Sequence, residues 1–184
     1  MTRPRPHRVA AALLLLSAPA ISAQAVPYAE VGVAVPLGLL SSIAAPGPLV
    51  TAGLAARPAA PGVQFGADIW YARARHDAGD ARSDLAGVTA WVAYALEAAG
   101  SLEVAPTLGI GALAHSRRSH DFPGLDATRA GLSLELGLVA SAPVGRVRVL
   151  LSGSYLRGTG ATGSAAFPTE LASLTAGVVL PLGG

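Results

Sequence analysis

Cysteine is absent from the 184-residue chain, which excludes disulfides, thiolate metal sites, a thiol nucleophile and a lipoprotein anchor. Charge is scarce. Only 13% of residues are charged while 52% are apolar, against about a quarter charged in average proteins. A fully water-facing exterior would be hard to assemble from this composition, which points toward lipid. Lysine is missing as well: all 13 basic residues are arginine. Three of these, Arg3, Arg5 and Arg8, lie in the first eight residues, so without them 10 Arg face 11 acids. The pI of about 9.5 therefore reflects the N-terminus as much as the domain. Nucleic-acid binding, which needs a basic patch or stripe, loses its support.

Residues 1–25 carry a basic stretch ending at Arg8, an apolar run from Val9 to Leu16, and small residues before Ala23-Gln24-Ala25. This is the pattern of a secretory signal peptide. Ser17 and Pro19 interrupt the run before the roughly 20 apolar residues that a membrane anchor needs. We expect cleavage after Ala25, with Ala23 as the alternative, leaving one domain over 26–184. No later segment offers about 18 uninterrupted apolar residues, so no transmembrane helix is expected to follow.

The apolar residues recur instead with a period of two. Ala130, Leu132, Leu134, Leu136, Leu138 and Ala140 alternate with Gly131, Ser133, Glu135, Gly137 and Val139. That spacing predicts a strand with one apolar and one polar face. Equivalent patterns run over 63–71, 86–96, 102–115 and 146–156, and looser ones over 30–35, 50–54 and 173–180, which makes eight strands. The connections alternate too. Those near 38–47, 74–82, 116–127 and 158–169 are long, whereas 57–62, 97–101 and 142–145 are short. Long loops at one end and tight turns at the other characterise transmembrane β-barrels.

The fold class predicted is therefore all-β, an eight-stranded antiparallel up-and-down transmembrane barrel. A soluble lipocalin-like binding barrel shares strand count and alternation and is the structural alternative. The polar parity decides between them. It consists mainly of Gly, Ser, Thr and Ala with isolated charges, which suits a narrow lumen filled by side chains better than a soluble exterior. Small residues opposite Trp70, Trp91, Arg146 and Arg148 would make room for those groups. Phe65 and Tyr94 near the turn ends, with Tyr71 and Tyr155 near the loop ends, are placed as two aromatic girdles.

These features resemble the small outer-membrane β-barrel superfamily, which contains the transmembrane domain of outer membrane protein A and its eight-stranded relatives. The resemblance covers residues 26–184. It implies a C-terminal assembly signal of polar, any, Gly, any, any, hydrophobic, any, hydrophobic, matched by Thr175, Gly177, Leu180 and Leu182. Family members usually finish on an aromatic residue; this chain finishes Leu182-Gly183-Gly184.

Eight inward charges are expected: Glu30, Asp68, Glu103 and Glu135 against Arg57, Arg129, Arg146 and Arg148. Buried charge is costly unless paired, so these are read as an ion-pair network plugging the lumen. Arg146 and Arg148 are expected to pair with Glu30 and Glu103 at the turn end. Some barrels resembling lipid A deacylase or lipid A palmitoyltransferase are enzymes, with Ser, His and a carboxylate as nucleophile and base. The candidates here are His115, Ser116, Ser119, His120, Asp121 and Asp126. The deacylase pattern of His, any residue, Ser is not met at His115, because Arg117 follows two positions later, so no enzyme is predicted. Metal and phosphate-loop readings also fail: His115 and His120 lack a convincing third ligand, and RGTGATGS has no Lys or following helix. No cofactor is expected.

The reading is a monomeric outer-membrane scaffold for structure or surface interaction. Its partners would be the barrel-assembly machinery and lipopolysaccharide, the latter through Arg73, Arg75, Arg82, Arg117 and Arg118. A lipid-A-modifying enzyme or a small pore is the alternative.

Overall fold

The computed structural model describes residues 24–57, 62–76, 81–118, 127–160 and 169–180. The strands are β1 (Gln24–Leu37), β2 (Gly47–Arg57), β3 (Val63–Arg75), β4 (Arg82–Tyr94), β5 (Leu96–Ala99), β6 (Leu102–Arg118), β7 (Ala127–Val144), β8 (Val147–Gly160) and β9 (Thr169–Val179), with a one-turn helix α1 (Gly38–Ser41) after β1. β4 and β5 both pair with β6 and are two segments of one wall strand. The sheet is antiparallel throughout and closes through β1–β9 and β4–β6, so eight strands form a barrel.

Closure is staggered. Following directly paired residues from Pro27 through Leu54, Ala67, Ala90, Ile110, Leu134, Arg157 and Glu170 returns to β1 at Leu37, ten residues above the start. This shear tilts the strands. Side chains at one height in the lumen therefore come from different rungs of the ladder.

The apolar parity faces outward. Val31, Ile69, Ile110, Leu132 and Leu174 are each more than 60% exposed. The polar parity fills the lumen, and the glycines there provide space for indoles. Gly66 lies directly opposite Trp91, and Gly87 opposite Trp70. A Cβ on Gly66 would sit 2.1 Å from the Trp91 ring, and one on Gly87 2.5 Å from the Trp70 ring.

Two turns are tighter than the sequence predicts. Gly145 and Gly100 adopt φ of 62° and 60°, each as the first central residue of a two-residue turn, the position at which a type II′ hairpin places glycine. β7 consequently extends to Val144 instead of ending near Ala142. At the opposite end, α1 tucks Leu40 into the barrel, and Ala44 forms an antiparallel bridge with His76.

Replacing Gly87 or Gly66 by alanine should destabilise the folded barrel by about 1–3 kcal/mol through overpacking against the indole. Gly153→Ala should be near neutral, because its nearest contact would be 3.8 Å away. Temperatures of loss of the compact, heat-modifiable form on detergent gels provide the measurement.

Candidate functional site

The lumen is layered. At the turn end, Arg148 donates from Nη1 to Glu103 at 2.6 Å and to Ser141 Oγ at 2.8 Å. Ser141 Oγ also donates to Glu103 at 3.2 Å. Val26, Ala55, Leu150 and Val179 pack above this group, with Tyr28, Trp91 and Val139 against them.

A layer of carboxylates comes next, joined by hydroxyl and indole donors. Ser152 and Thr175 donate to Glu30 at 2.6 and 2.9 Å. Tyr28 donates to Asp68 at 2.8 Å and accepts from Trp91 Nε1 at 3.0 Å. Thr89 accepts from Trp70 Nε1 at 3.2 Å and reaches Glu135 at 3.5 Å. A cavity of about 140 Å³ runs among these side chains. An apolar layer that includes Trp70, Leu85, Leu113, Leu156 and Leu171 crosses the barrel toward the loop end.

This arrangement differs from the network read in the sequence. Glu103 and Arg148 meet. Glu30 does not join them, because the shear lifts it to the level of Asp68 and Glu135, where hydroxyls supply its hydrogen bonds. Arg146 is not in the lumen: the two-residue turn places it, exposed, at the tip of the hairpin. Arg129 lies near the loop end, opposite His115. The backbone of Arg57 pairs with Gln24; its side chain lies outside the described residues.

Within the implied assembly signal, Thr175 is buried on Glu30, and a Cβ on Gly177 would fall 2.2 Å from the Ala29 carbonyl oxygen. Leu180 faces outward at 49% exposure. Leu182 is outside the described residues, as are Ser119, His120, Asp121 and Asp126.

The sequence reading set His115 beside Ser116, yet neighbours on a strand point to opposite faces. Ser116 faces outward and bonds Thr128 at 3.1 Å. His115 faces inward and bonds Ser83 Oγ through Nε2 at 2.9 Å, and His76 bonds the same Oγ at 2.9 Å. Ser83 was missed because its partner strand is 32 residues away in sequence. Tyr28, also missed, was legible from its two-residue spacing to Glu30.

The same parity divides the five loop-end arginines. Arg73, Arg75, Arg82 and Arg118 are on the outward parity, and Arg117 is on the inward one. Arg75, Arg82 and Arg118 stand on a single rung across β3, β4 and β6. Asp84 takes Arg73 at 2.9 Å and Arg82 at 3.3 Å. Tyr71 donates to Asp84, and the Arg73 guanidinium lies 5.7 Å from the Tyr71 ring centroid.

Arg148→Ala should cost about 2–3 kcal/mol, below the 3–5 of a fully buried pair, because the two side chains retain 24% and 18% exposure. Arg118→Ala, at an exposed position, should stay within about 0.5 kcal/mol. Equal shifts in unfolding temperature for the two variants would remove the pair from the account of stability.

No protein-family model and no curated protein matches the chain. Solved structures that share its fold include the following two. Neisserial surface protein A superposes with a TM-score of 0.66 at 15% identity, covering 85% of this chain and 96% of that one. The N-terminal β-barrel domain of Pseudomonas aeruginosa OprF gives 0.51 at 12% identity, covering 85% and 97%. The chain has the fold of the small eight-stranded outer-membrane β-barrels.

Proposed function

We propose that the protein is exported by its leader and spans the bacterial outer membrane as a monomeric surface-interaction scaffold whose lumen is closed to solutes. The observation that carries this reading is the inverted polarity of the barrel. Valines, leucines and isoleucines occupy the outside of nearly every wall strand, while the carboxylates of Glu30, Asp68, Glu103 and Glu135 and both indole N–H groups are hydrogen-bonded inside. A lipocalin-like soluble barrel needs the reverse. Backbone hydrogen bonds closed around the wall leave no edge for lipid to meet.

The outward arginines support lipopolysaccharide as partner. Like charges directly opposite one another on a rung are destabilising, and Arg75, Arg82 and Arg118 share one rung immediately beyond the apolar belt. Asp84 is the acid bonded there among the described residues. Phosphates of an anionic outer leaflet would complete the set through guanidinium forks. Arg117 faces the lumen and drops out of the group named from sequence.

The barrel should require detergent for purification and migrate faster unboiled than boiled. Recovery as a soluble periplasmic monomer would sink the membrane reading. Replacing Arg73, Arg75, Arg82 and Arg118 together by glutamine should reduce co-purifying lipopolysaccharide by about tenfold or more, whereas unchanged retention would leave only the scaffold. In planar bilayers the protein should show no large steady conductance, a reading supported by the cluster of buried apolar side chains toward the loop end; such a conductance would favour a pore.

A further inference from the structure

The loop-end mouth of the lumen, above the apolar layer, gathers basic groups from three walls. His115 stands opposite Arg129 on β7 and Leu85 on β4. Arg117, two residues further along β6 and on the same face, stands opposite Ser83. His76 reaches Ser83 from the end of β3. Among the described residues, the charged groups that act on His115 are His76, Arg129 and Arg117. Among the described residues the inward carboxylates Glu30, Asp68, Glu103 and Glu135 lie on the far side of Trp70, Leu85 and Leu113. Other described inward residues at this height include Thr169 and Gly158, which carry no charge.

Arg117 gives the cluster its direction. Its Nε is shut off from solvent and has no hydrogen-bond partner. A buried donor on a charged group calls for an acceptor. Ser83, fully buried, holds the Nε2 atoms of both imidazoles, fixing the rings beside the two guanidinium groups.

We propose that this mouth is a binding site for one phosphoryl group. Arg117 donates to it from Nε, Arg129 brings a second guanidinium from the facing strand, and the imidazoles of His76 and His115 add positive charge when protonated. Guanidinium groups match the geometry of phosphate oxygens, and imidazoles change charge near neutral pH. As pH falls the imidazoles gain charge while the phosphoryl group, whose second pKa is about 6, loses it, so the contribution of the imidazoles is read from the difference between the protein and a variant lacking them. The site is separate from the outer-wall arginines, which face lipid instead of the lumen. The phosphoryl group belongs either to free phosphate or to a phosphorylated lipid headgroup.

Titration of the full barrel in non-ionic detergent distinguishes these sources. Inorganic phosphate forms one arm and dodecyl phosphate mixed into the micelle the other. We expect saturable binding of one phosphoryl group per barrel in at least one arm. It should weaken about tenfold or more in Arg117→Gln and remain unchanged in Arg146→Gln, at the exposed tip of the opposite end. The double variant His76→Gln, His115→Gln should bind less tightly than the parent at about pH 6 and by a smaller margin at about pH 8. Binding of inorganic phosphate identifies a soluble ligand, and binding confined to the micelle identifies a headgroup. Absence of saturable binding in both arms, or equal loss in Arg117→Gln and Arg146→Gln, overturns the proposal. Arg117→Lys keeps the charge but loses the planar donor, and provides the same comparison if the glutamine variant fails to regain the heat-modifiable form.

Discussion

A barrel of eight strands has room inside only for its own side chains, and its apolar parity is turned outward, so the lumen must absorb nearly all the wall's polarity in very little space. The rest of the structure follows from that constraint. Indoles fit because Gly66 and Gly87 lie opposite them. Carboxylates fit because short hydroxyl side chains, Ser152, Thr175 and Thr89, reach them from neighbouring walls. Guanidinium groups are bulky, and Arg148, the one bonded to an inward acid in the mid and lower lumen among the described residues, occurs at the turn end, where Ser141 and Glu103 meet it together. Unpaired polar groups in such a setting are costly, which explains why Tyr28 both donates to Asp68 and accepts from Trp91.

The strands, their number and which face meets which solvent were legible because a period of two is a strong signal when one parity is almost purely apolar. The interior pairings were less so. Parity says that Glu30 and Arg148 both point inward; it does not contain the register, in which Arg148 shares a rung with Val179 and Tyr28 and Glu30 lies two residues further on. Arg146 illustrates a second limit, since a single glycine with positive φ moved the turn and took that side chain out of the lumen. Ser83 illustrates a third: its histidine partners come from the end of β3 and from β6, and no local spacing in the chain marks such a meeting. Electrostatic pairing was the natural reading of four acids and four bases, yet hydrogen bonding to neutral hydroxyls serves three of the acids.

Arg117 and Arg118 show how sharply a strand sorts neighbours. One step along the backbone reverses the face. Arg118 joins Arg75 and Arg82 on the outer wall, while Arg117 enters the mouth with His115 and Arg129. A cluster of arginines that reads as one loop patch in sequence is two electrostatic environments, with different dielectric surroundings and different access to ions.

The bond between Thr175 and Glu30 spans 145 residues of sequence and lies on the β1–β9 seam. That seam joins the first strand to the last. Loop-closure entropy must be met before so distant a contact contributes anything, so the carboxylate on β1 has no native partner from β9 while the intervening walls form. The opening strand therefore carries a polar group whose satisfaction is deferred to the end of assembly, and a barrel stalled before closure exposes an unpaired edge together with that carboxylate.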